Sequence, residues 1–315
     1  MTHKPPQQSE LMSGICVTDA LGVCERSLER AGVFCGHGTD NPWDESVHLV
    51  FSALGLPLDS PAAVGERVLD AAEVERVEAL LERRIRERTP LPYLTGEAWF
   101  AGLPFTCDER ALVPRSPLAE LVLDAFRPWY GGPGPLSILD LCCGGGAIGI
   151  AAAVHLPDVT VVLSDIDEDA LALARANTRR HGVDARVELV CGNLFDALPG
   201  RRFDIILCNP PYVDAEDLAS MPLEYRHEPP IGLGAGHDGL DLARQVLAQA
   251  ESYLTERGLL LLEVGNSWAA LERALPRVAF TWVELASGGH GVLAMQAHEL
   301  RESADCLEYT VAEPG

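Results

Sequence analysis

The spacing of apolar positions changes along the chain. In the first third they recur every three or four residues; past residue 135 they gather into short runs. Val74, Val77, Leu81 and Ile85 fall on one face of a helix, and residues 21–88 read as helical on this basis. A loop of Gly, Asn and Pro interrupts them at 36–45, where Asn41 or Asp44 is placed to cap the next helix. The arginines Arg83, Arg84, Arg86 and Arg88 read as a solvated face favouring the helix C-terminus. Thr89-Pro90-Leu91-Pro92 breaks the helix and marks a boundary. Residues 97–113 read as a hairpin turning near Gly102, and Ser116-Pro117 opens a helix whose apolar face is Leu118, Leu121, Val122 and Ala125.

The short runs predict strands at 136–141, 159–164, 187–190, 203–208 and 259–264. Helical segments lie between and after them near 148–155, 169–181 and 240–255. This alternation predicts an α/β fold, a doubly wound Rossmann-like sheet. Residues 278–285 and 291–297 follow with only Ser287-Gly288-Gly289-His290 between them, which predicts an antiparallel pair at one sheet edge. The expected organisation is a tail at 1–20, a helical domain at 21–92, a linking hairpin at 93–114, the sheet domain at 115–298 and a polar tail at 299–315.

Composition narrows the picture. The apolar share of 47% fits a soluble globular protein. No run is long enough to span a bilayer, and the N-terminus lacks an apolar signal core. Nine scattered cysteines without a C-x-x-C pair point to a reducing cytoplasm, and no metal site is expected. A net charge of −23 disfavours nucleic-acid phosphates and favours a basic protein partner.

Four constellations carry chemistry. Asp140-Leu141-Cys142-Cys143-Gly144-Gly145-Gly146-Ala147-Ile148-Gly149 follows the first strand and opens a helix. Its Gly144-x-Gly146-x-x-Gly149 spacing lets backbone approach a ligand at free N–H groups, in a dinucleotide site or a methyltransferase alike. Asp165 ends the second strand 19 residues after Gly146 and can accept both hydroxyls of a ribose, in NAD or S-adenosylmethionine equally. Asp167 reads as the cap of the following helix. Asn193 follows the third strand and is placed for an adenine edge.

The fourth is Asn209-Pro210-Pro211-Tyr212, where the run 203–208 stops. Prolines cannot continue a ladder, so the strand ends in a rigid corner rich in acceptors. The Asn209 side chain and the Pro210 carbonyl can hold both hydrogens of a planar NH₂ group, drawing its nitrogen toward tetrahedral geometry; Tyr212 can stack on the flat substrate. This corner decides for methyl transfer over hydride transfer. In a NAD-linked oxidoreductase it would be idle. The long loop 213–238 reads as a substrate-recognition segment in which Glu228 meets a basic peptide.

Asp140–Gly149, Asp165, Asn193 and Asn209–Tyr212 together resemble the protein glutamine-amide methyltransferases of the HemK/PrmC group, over residues 35–297. The stretches 36–45, 113–117, 213–228 and 263–267 resemble the branch acting on large-subunit ribosomal protein L-three more than the branch acting on peptide release factors. The pair Cys142-Cys143 departs from a family pattern that often has Thr or Ser among the glycines. The resemblance implies a small helical domain, a hairpin and a seven-stranded methyltransferase domain. It also implies S-adenosylmethionine as cofactor and a glutamine side-chain nitrogen as acceptor. The charge adds an expectation that the ribosomal protein is met before assembly. A same-chemistry alternative, adenine amino-group methylation, would need a basic patch that the composition lacks.

Overall fold

The computed structural model describes residues 11–132, 134, 136–286, 288 and 290–307. The outer parts of both expected tails, and Ser287 and Gly289 of the expected turn, lie outside the described residues. The chain forms two compact units. One takes the chain through Gly96 together with Pro222–His227; the other takes Glu97–Met221 and the chain from Glu228 on.

The first unit holds α1 (Val17–Ala31), α2 (Pro42–Leu54), α3 (Ala71–Glu87) and α4 (Leu91–Thr95). Asn41 caps α2 by accepting from the Asp44 N–H (2.9 Å), and Asp70 with Glu73 forms a reciprocal capping box on α3. Val74, Val77 and Leu81 are buried with Leu21, Leu28 and Leu49 in one apolar core. Helix begins at Val17 and Leu11 is already buried, so the expected tail does not extend over residues 11–20.

The second unit opens with the hairpin β1 (Glu97–Phe100) and β2 (Leu103–Thr106), then α5 (Leu118–Leu123). Its sheet strands are β3 (Ser137–Leu141), β4 (Thr160–Asp165), β5 (Val187–Cys191), β6 (Phe203–Cys208), β7 (Leu254–Glu263), β8 (Thr281–Trp282) and β9 (Val292–Gln296). The order is β5-β4-β3-β6-β7-β9-β8, parallel from β5 to β7 and antiparallel at β9 and β8. Helices α6 (Ala147–His155), α7 (Glu168–Arg180) and α9 (Asp241–Gln249) are among those connecting the strands.

The central strands are apolar throughout because both faces are covered. Ile138, Ile205, Leu207, Leu259 and Leu261 join one core cluster, while Leu139, Ile206, Cys208, Leu260 and Leu262 join the other. Some boundaries differ from expectation. β7 begins at Leu254, where a helix was expected, after a tight turn at Ala250–Tyr253. β8 keeps two residues of an expected eight-residue strand. The polar C-terminal segment is helical at α11 (Ala297–Glu302) and α12 (Ala304–Leu307), because Leu300 and Leu307 anchor it in the core. Among the described residues no helix is long and apolar enough to cross a membrane.

Candidate active site

The five parallel strands end at one edge, and chain order reverses between β3 and β6, the position where ligands bind in such sheets. Leu141 pairs with Cys208, so the glycine turn after β3 and the Asn-Pro-Pro-Tyr corner after β6 leave adjacent strands at the same level. Cys208 pairs in turn with Leu262, which brings Glu263 level with Asn209.

The turn is tightly built. Gly146 caps α6 at φ +80°, where a Cβ would lie 2.9 Å from the Leu163 side chain. Cys142 adopts φ +59°, a conformation unfavourable for a residue with a Cβ. Asp140 is fully buried. One of its oxygens accepts from the Gly149 N–H (2.8 Å); the other, Oδ1, has no hydrogen-bond partner among the described residues. Burial pushes this carboxyl up to about 7, against the Gly149 N–H and with a further rise from Asp165.

Asp165 is oriented by two backbone donors, Gly144 N–H (2.7 Å) and Asp167 N–H (3.0 Å). Burial raises its carboxyl while those N–H groups oppose the rise. Asp167 caps α7 through the Asp169 N–H (2.8 Å), as its position suggested. Asn193 is exposed after β5. An unpartnered buried carboxylate oxygen, a glycine turn beside it and a pre-oriented Asp165 fit a cationic ligand carrying an amino-acid end and a ribose.

Asn209 is half-buried, and its side-chain amide has no hydrogen-bond partner among the described residues. Pro210 is buried and Pro211 half-buried. Tyr212 donates its hydroxyl to Glu263 Oε1 (3.0 Å), and its carbonyl accepts from Ser267 Oγ (3.0 Å). Glu263 Oε2 accepts from Ser116 Oγ (2.6 Å). Burial pushes the Glu263 carboxyl up to about 7, with the Ser116 and Tyr212 hydroxyls and the Arg115 charge working the other way.

The structure brings the glycine turn, Asp165, Asn193 and Asn209–Tyr212 to one edge. It does not leave Glu228 open to a basic peptide. That side chain is 0% exposed; both oxygens take the Arg115 guanidinium (2.6 Å each), and Oε1 also takes the Val113 N–H (3.0 Å). Glu228 is a clamp on residues 113–115, because an acid beside an arginine in an apolar setting pairs with it before solvent does. The loop 213–238 is also more ordered than its pattern implied, with α8 at Ala215–Ser220 and tight turns at Leu223–His227 and Pro230–Gly232. Glu263, bonded to Tyr212 of the corner, carries none of the chemistry read from the motifs. Its signal is a lone acid inside the apolar run 259–264.

Among the described residues no group of three or more His, Cys, Asp or Glu is placed to hold a metal ion. The family model "Methyltransferase small domain" matches residues 133–222. A ribosomal protein uL3 glutamine methyltransferase of Francisella tularensis subsp. tularensis is 45% identical over 97% of this chain and 98% of its own length. Another, of Xanthomonas campestris pv. campestris, is 49% identical over 90% of this chain and 92% of its own length. A solved methyltransferase of Pyrococcus furiosus aligns with a TM-score of 0.46 at 20% identity, covering 62% of this chain and 89% of that one. The glycine turn, the acids at the strand ends and this near full-length similarity agree: the chain belongs to the ribosomal protein uL3 glutamine methyltransferase family.

Proposed function

We propose that the protein transfers the methyl group of S-adenosylmethionine to the side-chain amide nitrogen of a glutamine in ribosomal protein uL3. The observation that carries this reading is the unpartnered Asn209 amide, held half-buried at the end of β6 and level with the glycine turn. The names of the two relatives, each matched over nearly its whole length, support the acceptor. S-adenosylmethionine supplies, when bound, a methyl group already activated by its sulfonium.

Asp140, Gly144 and Gly146 would hold the amino-acid end of this cofactor, Asp165 its ribose hydroxyls and Asn193 its adenine edge. The free Asp140 oxygen suits a cationic group. Asn209 Oδ1 and the Pro210 carbonyl accept the two N–H hydrogens of the glutamine amide. This weakens delocalisation of the nitrogen lone pair into the carbonyl and aims it at the methyl group. As the N–C bond forms, the sulfonium S–CH₃ bond would break with its electron pair left on sulfur as a neutral thioether, and one N–H proton leaves the nitrogen to solvent. Pro211 stiffens the corner and Tyr212 walls it.

At −23 the enzyme attracts a basic ribosomal protein while that protein is free, in the cytoplasm and before RNA covers it. The test compares labelled-methyl transfer to free uL3 and to intact large subunits lacking the mark. Faster transfer to the free protein is expected; equal rates would contradict the assembly-order part. Transfer to a peptide release factor but not to uL3 would contradict the acceptor.

A further inference from the structure

The end of β7 carries a buried acid for which methyl transfer itself has no use. Glu263 is 4% exposed, yet among the described residues it forms no direct ion pair. Arg115, the charge acting on it, spends its guanidinium on Glu228. Both Glu263 oxygens instead take hydroxyls, one from Tyr212 and one from Ser116. Ser116 itself opens α5, its Oγ accepting from the Leu118 N–H (3.1 Å). Tyr212 is further fixed through its carbonyl by Ser267 and at its ring by Gly265. A Cβ on Gly265, which sits at φ +47°, would lie 2.5 Å from ring atom Cε2. Tyr212 is thus held at hydroxyl, ring and carbonyl, immediately after the two prolines that follow Asn209.

We infer that Glu263, backed by Ser116, is a positioning residue. By fixing Tyr212 it sets the rigid corner and with it the angle at which Asn209 and Pro210 meet the acceptor amide. The inference rests on the methyl-transfer reading. An ionised carboxylate accepts from both hydroxyls at once. The neutral acid must donate one hydrogen, so it cannot keep both contacts unchanged. The groups facing Glu263 are Tyr212 from the corner, Ser116 and Arg115 from the segment before α5, and Cys208 from β6. Arg115 is held by Glu228 while its charge still works against the rise of the Glu263 carboxyl, and the strand partner on β9 is the apolar Val292. Titration of Glu263 therefore reaches Tyr212 directly.

The test uses the full-length enzyme with free uL3. Glu263→Ala should lower kcat about 100-fold, the loss typical of a misplaced positioning group, while the S-adenosylmethionine Kd by calorimetry stays within about threefold. Glu263→Gln keeps one accepting oxygen and should restore part of the rate. Tyr212→Phe should lose as much as Glu263→Ala, and the double variant no more than either. Should Glu263→Ala fail to fold, Ser116→Ala carries the same comparison. A readout independent of the acceptor is the ¹³Cζ signal of Tyr212, assigned with Tyr212→Phe. It should shift through pH 7 in the wild type and stay flat in Glu263→Gln. If that signal behaves so but uL3 gains no methyl, the acceptor reading fails and the positioning inference stands. A signal flat in both proteins, or fully additive losses in the double variant, would overturn the inference.

Discussion

Both units bury carboxylates, and they do so in opposite ways. In the helical unit Glu45 and Glu224 share Arg84, at 2.6 Å and 3.4 Å, with all three side chains at most 2% exposed. Burial pushes the Glu224 carboxyl up, but the Phe34 N–H, Arg84 and Arg88 together hold it below its ordinary value. At the ligand edge of the sheet, Asp140 and Glu263 have hydroxyls or a single N–H in place of a cation, and both are pushed up to about 7. A buried acid with its counter-ion built in serves the fold. One that lacks a counter-ion is a liability to the fold, kept for what binds or moves beside it. The arginine run at the end of α3 shows the same distinction within four residues. Arg84 is 1% exposed and Arg88 is bound to Glu224 and to the Ala31 and Gly32 carbonyls, whereas Arg83 and Arg86 face solvent, so the expected solvated face holds for Arg83 and Arg86 and fails for Arg84 and Arg88.

The contrast can be broken at its strongest point first. Arg84→Met strands the buried Glu45 carboxylate and leaves Glu224 only Arg88 and the Phe34 N–H, and should cost about 3–5 kcal/mol of stability in urea unfolding. A loss under about 1 kcal/mol would mean the cluster is not held by that arginine. Next, Asp165→Ala removes the pre-oriented acid at the end of β4. It should weaken S-adenosylmethionine binding about 10- to 100-fold by calorimetry, the scale of a lost charge-assisted hydrogen bond. A near-unchanged Kd would remove Asp165 from the cofactor site.

The third effect has the opposite sign to the first. The folded Glu263 pKa, about 7, stands above the ordinary 4.5. A raised carboxyl stabilises the fold fully below about pH 4.5, and that contribution is lost as pH rises through about 7. Glu263→Gln should therefore gain roughly 1–3 kcal/mol relative to wild type between pH 4.5 and pH 8, with activity reduced. A variant whose stability relative to wild type does not change with pH would refute the raised pKa. Smallest of all, Arg86→Ala removes an exposed partner of Glu82 and should change stability by no more than about 0.5 kcal/mol. A loss comparable to that of Arg84→Met would end the distinction between the two neighbours.

Most of the sheet could be read in the sequence because the central strands are covered on both faces. Runs such as Ile205-Ile206-Leu207-Cys208 have no other good reading. The motif residues were legible for a related reason: glycine spacing and a double proline each demand a special backbone. The rest depended on partners far away in sequence. Glu228 looked like a loop acid until Arg115, 113 residues earlier, was seen to enclose it. Arg84 looked solvated because its carboxylates lie 39 and 140 residues away. Glu263 pairs with Ser116 across 147 residues. The C-terminal helices depart from their polar local pattern because a few buried residues, such as Leu300 and Leu307, outweigh it.

On the proposed reading, Asn209 holds a glutamine amide for methyl transfer. This is tested most directly by incubating free uL3 with labelled S-adenosylmethionine and either wild-type enzyme or Asn209→Ala, then placing the label by tandem mass spectrometry. Label is expected on a glutamine side chain with the wild type. Asn209→Ala should lower the rate at least about 100-fold while still binding the cofactor. Label on another residue type, or near wild-type transfer by Asn209→Ala, would contradict it.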